Sequence, residues 1–394
     1  MLVLEVKLSG KNWQYEALDE AIRTTNFVRN KALRYWMDNR GVSKNDLQKL
    51  CATLAKEFEW AKKLNSQARQ AAADRAWMGI SRFYQNCQKQ KPKKGYPKFK
   101  KRGRSVEYKQ TGWSLSAERK KITFTDGFQA GTFKLIGTRD LNFYQLEQIK
   151  RIRVVKRADG YYCQFLIKVD RSEPQAPTGK AVGIDLGIES FYTDSEGNQI
   201  ENPRFLRKSE QSLKRLQRQV SRKKKGSNNR KKAINKMARK HLHVSRQRRE
   251  FAVKIARRLV TSSDVIVYED LKVCNLVKNH RLAKSISDAA WSMFTDWVDY
   301  FAKIHGVHVF AVAPHFTSQD CHQCGKRVEK SLSTRTHKCP NCELVEHRDL
   351  NAAKNILARG LGLKNTVGHT GIYTLEETEP LVSSEQSELV KCGH

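Results

Sequence analysis

Acidic side chains are scarce in this chain. Its 394 residues carry 75 Lys and Arg against 40 Asp and Glu, a formal charge of +35. A soluble protein this basic keeps company with a polyanion, because counterion release makes phosphate backbones strong, salt-sensitive partners. Proline is scarce too, eight in all and none before Pro92, which leaves the first quarter free to form helices. Long apolar runs are missing: none approaches the ~18 residues of a membrane span. The opening MLVLEVKLSGKNWQYEALDE lacks the basic start and apolar core of a signal peptide. A disulfide framework is absent as well. Of nine cysteines, Cys51, Cys87, Cys163, Cys274 and Cys392 stand singly, and the other four form two tight pairs. That is a metal pattern plus free thiols, and it points to a reducing compartment. The expected location is cytoplasmic and nucleoid-associated, with no membrane partner.

The length allows two or three domains. Residues 2–8, LVLEVKL, alternate as a strand does. From Tyr15 to Cys87 the apolar period turns helical, with Leu18, Ile22 and Val28 on one face and Asn26 and Arg29 facing outward; a helical bundle is expected. Residues 89–104, KQKPKKGYPKFKKRGR, hold nine basic and no acidic side chains. They read as a loop whose charges touch phosphate and whose rings Tyr96 and Phe99 pack or stack. Residues 105–170 switch to period two, with a hairpin turn at Ala158-Asp159-Gly160. A small barrel or sheet is expected there, to which the first strand returns. EPQAPTG, residues 173–179, is a boundary.

Beyond it come strands at AVGIDLGI, FYTDSEGNQI and ENPRFL, a long helical stretch over 207–260, and the strand DVIVYEDL. An amphipathic helix follows over 285–306, with Trp291, Phe294, Val298 and Phe301 on one stripe. The strand GVHVFAVAP, a cysteine module and a helix from Arg348 complete the series. Three strands, helix, strand, helix, strand, helix is the order of the ribonuclease H fold, interrupted by the cysteine module. Residues 372–394 carry five Glu and one Lys without periodicity, and are expected to be disordered.

In that fold Asp185 between Gly183 and Gly187, Glu269 at a strand end and Asp349 at a helix start converge at one sheet edge. Each alone has an ordinary structural explanation, as a turn residue, an exposed strand end or an N-cap. Together they read as a catalytic site. Three carboxylates repel one another unless cations share them, and two Mg²⁺ ions ~4 Å apart (Mn²⁺ would also serve) resolve the conflict and support phosphodiester hydrolysis. Cys321, Cys324, Cys339 and Cys342 are spaced to close a tetrahedral site around one structural Zn²⁺. His322 and His337 lie nearby but are not needed as ligands, and His337 is expected at the surface or facing phosphate.

Residues 204–258 hold 22 Lys or Arg and only Glu210 and Glu250 as acids. Two helices joined by a basic turn, SRKKKGSNNRKK, would floor the site for a nucleic-acid strand. Candidate contacts in the first basic loop are Lys93, Lys94, Lys98, Lys100, Lys101 and Arg102. In the second they are Arg222, Lys223, Lys224, Lys225, Arg230, Lys231 and Lys232.

GIDLG (183–187), VYEDL (267–271), TSQDCHQCG (317–325), CPNC (339–342) and RDLNAAKNIL (348–357) resemble the motifs of the TnpB family of insertion-sequence proteins, to which type V CRISPR effectors are similar. The resemblance is specific over 180–360 and organisational before it. It implies an α/β and α+β multidomain chain. A RuvC-like (ribonuclease H-like) nuclease domain would span 177–316 and 347–371, with the zinc ribbon inserted at 317–346. A split, wedge-like β-barrel domain would span 1–10 and 105–176, a helical recognition domain 11–104. It further implies a transposon-encoded, RNA-guided DNA endonuclease. Its partners would be a guide RNA from the transposon end and double- and single-stranded target DNA, with the protein a monomer bound to its RNA. One site would cut both strands beside a short motif read by the protein. The family often carries an acid two positions before the last catalytic Asp; here that residue is His347, not expected to ligate metal.

Other readings make different demands. A nuclease-inactive RNA-guided repressor would have no use for three intact carboxylates. A transposase would join a 3′-OH, and an unguided structure-selective nuclease would bind branched DNA without RNA. A zinc-finger transcription factor leaves the carboxylates unexplained.

Overall fold

The computed structural model describes residues 1–331 and 333–366. The expected tail, 372–394, lies outside the described residues, as do 367–371 of the expected nuclease domain. The chain divides into two compact units, residues 1–170 and the remainder from Arg171.

The first unit opens with β1 (Leu2–Ser9), whose alternate Leu4, Val6 and Leu8 are buried. Helices α1 (Asn12–Asp38), α2 (Lys44–Glu57), the single turn α3 (Glu59–Lys62) and α4 (Ser66–Gln88) follow. Strands β2 (Ser105–Tyr108), β3 (Trp113–Leu115), β4 (Lys121–Phe124), β5 (Gly131–Ile136), β6 (Ile149–Arg157) and β7 (Gly160–Ile167) complete it. The seven strands form one antiparallel half-barrel sheet in the order β2-β6-β7-β1-β5-β4-β3. β1 sits between β5 and β7, so the first strand does return, and Ala158-Asp159 turns β6 into β7. Leu18, Ile22 and Ala68 of the helices share a core with Val106, Ile122, Phe133 and Phe165 of the sheet. Val28, Leu33, Leu47, Leu54 and Ile80 make a second core among the helices.

Opposite that apolar stripe, the outward Asn26, Arg29 and Asn30 hold the basic loop. Asn30 both accepts from the Lys100 backbone N–H (3.1 Å) and donates to its carbonyl (2.9 Å). Asn26 donates to the same carbonyl at 2.9 Å, and Asn86 to that of Lys94 at 3.0 Å. The loop's backbone is therefore fixed while its cationic side chains stay exposed. Tyr96 packs with Trp36 and Phe83, and Phe99 remains exposed.

In the second unit the elements are β8 (Ala181–Leu186), β9 (Ser190–Asp194), β10 (Gln199–Glu201), α5 (Phe205–Ser221), α6 (Asn228–Thr261), β11 (Val265–Glu269), α7 (Val273–Leu276), α8 (Ala283–Ala289), α9 (Trp291–His305), β12 (His308–Val312), β13 (Thr336–Lys338), β14 (Val345–His347) and α10 (Arg348–Thr366). Five strands pair in the order β10-β9-β8-β11-β12. β8, β11 and β12 run parallel, while β9 and β10 are antiparallel. This is the ribonuclease H arrangement. Val182, Ile184 and Leu186 face α6 and α9. Val265, Val267 and Val312 face Ile356 of α10.

Three details differ from the sequence expectation. The third strand is Gln199–Glu201 rather than ENPRFL, because Phe205 and Leu206 open α5. The buried Asp288 carboxylate accepts from the Leu206 (2.8 Å) and Arg207 (3.1 Å) backbone N–H groups, capping that helix end. The helix expected over 285–306 is two, broken at Ala290 by a left-handed φ of 56°. Residues 173–179 belong with the second unit: the Glu173 N–H donates to the Ile304 carbonyl at 2.7 Å, and Gln175 donates to those of Val260 and Ser263.

Candidate active site and metal centre

Strand alternation decides which side chains meet above the sheet. Gly183 and Val267 are register partners on the face covered by α10. Two residues further along each strand, on that same face, come Asp185 and Glu269. α10 begins over them, so Asp349 in its first turn joins the pair. Glu269 and Asp349 are buried and Asp185 is half-buried. Burial, and then the negative charges of Glu269 and Asp349, hold the Asp185 carboxyl well above the usual range, with only Arg348 opposing them. Burial also raises Glu269, against a hydrogen bond from Thr317 and the charge of Arg359. Arg348 Nε lies 3.3 Å from Asp349 Oδ1. The Asp349 N–H donates to His347 Nδ1 at 3.3 Å, and that nitrogen is 4.0 Å from Asp349 Oδ2.

Close approach seats α10. A Cβ on Gly183 would stand 2.3 Å from the Ala353 carbonyl oxygen, and one on Gly360 2.4 Å from a Val267 methyl. Without those two glycines the helix could not lie this near β8 and β11, and Asp349 would be lifted away.

The four cysteines gather beside this helix, their sulfurs all within 4.8 Å of one another. Cys321 and Cys342 are 3.6 Å apart and Cys324 and Cys339 3.5 Å, near the ~3.8 Å edge of a tetrahedron with Zn–S bonds of about 2.3 Å. Hydrogen bonds from the Lys326 backbone and the Asn341 side chain lower the Cys324 thiol, while its sulfur neighbours raise Cys342, so the four sulfurs share their protons as one cluster. The cluster fits one closed structural zinc. His337, expected at the surface, is instead fully buried. It is the inward residue of β13, cross-strand from Glu346, and its Nδ1 meets the Lys330 ammonium. The alternation of a three-residue strand overrides its polarity.

The two basic clusters fall in different units. Lys93, Lys94, Lys98, Lys100, Lys101 and Arg102 project from the fixed loop, all exposed. Arg222, Lys223, Lys224 and Lys225 lie between α5 and α6, while Arg230, Lys231 and Lys232 are already in the first two turns of α6.

Comparison with known proteins places this architecture. The profile of OrfB_IS605, described as "Probable transposase", matches residues 164–280, and that of the Cas12f1-like TNB domain matches 291–356. A Streptomyces pristinaespiralis protein named "Putative RNA-guided DNA endonuclease" is 42% identical over 207 residues, 52% of this chain and 51% of the relative. InsQ of Escherichia coli K12, under the same designation, is 30% identical over 324 residues, 78% of this chain and 77% of InsQ. The chain belongs to the TnpB family. It thus spans about half the length of the Streptomyces relative and about three quarters of InsQ. Solved structures of a Cas12f1–sgRNA–target DNA complex (TM-score 0.55, 14% identity, 87% of this chain and 82% of that one) and of Cas_phi3 (0.54, 10%, 91% and 92%) share its fold.

Within the TnpB frame several residues matter that the sequence reading did not single out. Thr317, Asn351, Asn355 and Arg359 all bond around the carboxylates or the entry to the cysteine module. Asn351, Asn355 and Arg359 recur every fourth position of α10, a polar stripe on a helix otherwise packed by Ala352, Ala353 and Ile356. That spacing was the available signal. Thr193, register partner of Asp185, has a buried hydroxyl without a hydrogen-bond partner. Three carboxylates and an orphaned hydroxyl on one face are all oxygen donors, the chemistry a hard divalent cation takes, while among the described residues only the four cysteines stand at ligating distance of one another.

Proposed function

We propose that this TnpB-family chain is an RNA-guided DNA endonuclease whose single carboxylate site cuts both strands of guide-complementary DNA beside a short protein-read motif. The observation that carries the reading is the gathering of Asp185, Glu269 and Asp349 on one face, Glu269 and Asp349 buried and Asp185 half-buried, with burial and the two neighbouring carboxylates raising Asp185. Asp185, Glu269 and Asp349 would hold two Mg²⁺, or Mn²⁺, which when bound supply an activated water and charge neutralisation at the leaving oxygen of an in-line displacement. The protein's own part is positional. β8 and β11 present two carboxylates in register, α10 delivers the third, and the cysteine module folds its ribbon around a zinc that takes no part in the reaction. The exposed cations at 222–225 and 93–102 would track phosphates. The names of the Streptomyces and Escherichia relatives, and the guide RNA and target DNA in the Cas12f1 complex, support the same partners here. Among the described residues no helix is long and apolar enough to cross a membrane.

The test is to express the protein with its native flanking DNA, wash at high salt, and sequence the RNA that stays bound. The expected result is a single RNA species with defined ends that directs Mg²⁺-dependent cleavage of complementary DNA. A smear of cellular RNA, with cleavage of branched DNA in its absence, would replace the guided reading by an unguided structure-selective nuclease.

A further inference from the structure

Among the described residues, Glu269 is the one carboxylate of the three whose side chain is gripped by a hydroxyl. Thr317, buried at the entry to the cysteine module, donates its Oγ1 proton to Glu269 Oε1 at 2.5 Å. A glutamate has three side-chain torsions to fix, and one oxygen held this way leaves the other in a defined direction.

Thr317 is itself held from two sides. Its carbonyl oxygen accepts from Asn355 Nδ2 at 2.9 Å and from Asn351 Nδ2 at 3.5 Å. The same two amides reach the Asp320 carbonyl at 2.6 and 2.8 Å, and the His322 N–H donates to Asn351 Oδ1 at 3.0 Å. Residues 317–322 are thus tied along α10 on both sides of Cys321. The residue before Thr317 adds an independent sign. Phe316 has a left-handed φ of 63° and remains half-exposed beneath the Arg327 guanidinium. A bulky side chain keeps that backbone only where its surroundings impose it, and such positions cluster at functional sites. Here the turn delivers the Thr317 hydroxyl to Glu269.

We infer that Thr317 is a positioning residue for Glu269, and that through it the cysteine module and α10 set how the carboxylate site receives its divalent cation. The inference rests on the proposed metal-binding role of Asp185, Glu269 and Asp349. On this view the ribbon, besides being a small folded appendage, fixes at Cys321 the segment that orients a ligand on β11. Asn351 and Asn355 tie the same segment to the helix carrying Asp349, so two carboxylates from distant parts of the chain share one set of supports.

The experiment compares wild type, Thr317→Val, Thr317→Ser and Asp185→Ala as full-length protein saturated with zinc. Mn²⁺ binding is read by electron paramagnetic resonance, with RNA affinity and zinc content measured alongside. Thr317→Val should bind Mn²⁺ about tenfold more weakly with RNA affinity and zinc content unchanged, and Thr317→Ser should restore the affinity by returning the hydroxyl. Wild-type Mn²⁺ affinity in Thr317→Val, or a Thr317→Ser as weak as the valine variant, would overturn the inference and leave the nuclease reading standing. If wild type binds no Mn²⁺ that Asp185→Ala abolishes, the carboxylate site itself fails and the inference falls with it. Should Thr317→Val not fold, Asn355→Ala carries the test. It keeps the hydroxyl but unpins its backbone, with a loss of roughly threefold expected and an unchanged affinity overturning the proposal.

Discussion

Gly183 of β8 lies so close to Ala353 of α10 that any side chain at 183 would collide with the Ala353 carbonyl, 2.3 Å from where its first carbon must sit. The neighbouring Leu357 backbone, 2.7 Å from the same point, closes the remaining space. This approach fixes the height of α10 above the sheet, and hence the distance of Asp349 from Asp185. Gly183→Ala should therefore destabilise the second unit by about 1–3 kcal/mol of overpacking, read as a lower melting temperature, and abolish cleavage while RNA stays bound. A variant with wild-type melting and cleavage would show that α10 does not depend on this approach.

Replacing any one of Asp185, Glu269 or Asp349 by Ala should remove cleavage of a guide-complementary duplex and leave RNA binding intact. Because the three carboxylates repel in the absence of cation, Asp185→Ala or Asp185→Asn should also be no less stable than wild type in metal-free buffer. Cleavage assays on target duplex, with melting curves in chelator, read both effects. Wild-type rates in any of the three would remove that residue from the site.

Cys342→Ser should lose the zinc, which metal analysis should count at one per chain in the wild type, and loosen the β13–β14 hairpin. Cleavage should weaken without vanishing, since a zinc closed by four thiolates has no open position for chemistry. Full zinc content with full activity in this variant would count against the structural-zinc assignment.

In the first unit Glu107 is buried among Arg75, Arg151 and Arg153, at 3.1, 3.0 and 2.7 Å. Burial alone would raise its carboxyl, but Arg75, Arg153 and Arg151 together bring it down to about 2 from an ordinary 4.5. Between those values the unfolded chain binds more protons than the fold. The stabilisation is complete above pH 4.5 and is lost as pH falls toward 2, about 3 kcal/mol in all. Glu107→Gln should lower the neutral-pH stability of this unit and flatten its pH dependence in that window, as followed by urea unfolding across the acid range.

Removing the charges of Arg222, Lys223, Lys224 and Lys225 should reduce the slope of log affinity against log salt by about 0.7–0.9 for each phosphate that is no longer neutralised. Nucleic-acid binding titrated between low and moderate salt measures it. An unchanged slope would mean that this turn is solvated and touches no phosphate.

Much of the molecule was legible in the linear chain. Period-two runs, the 3.6-residue stripe of Leu18, Ile22 and Val28, and the order of strands and helices follow from local alternation, which each segment carries by itself. The cysteine spacing carries the metal cluster in the same way, because four thiolates in two short loops have few other ways to be satisfied. The tertiary structure alone decided the rest, because it turns on pairings between residues far apart in sequence. Polarity placed His337 at the surface, yet the inward position of its short strand buried it. Nothing local in Asn26 and Asn30 says that they hold the Lys100 backbone some 70 residues away. The bond from Thr317 to Glu269 spans 48 residues, and the fit of Ala353 over Gly183 joins the first strand of its sheet to the last helix. Such relationships depend on how helices lie on sheets to within an ångström, a quantity set by packing and written in no single stretch of sequence.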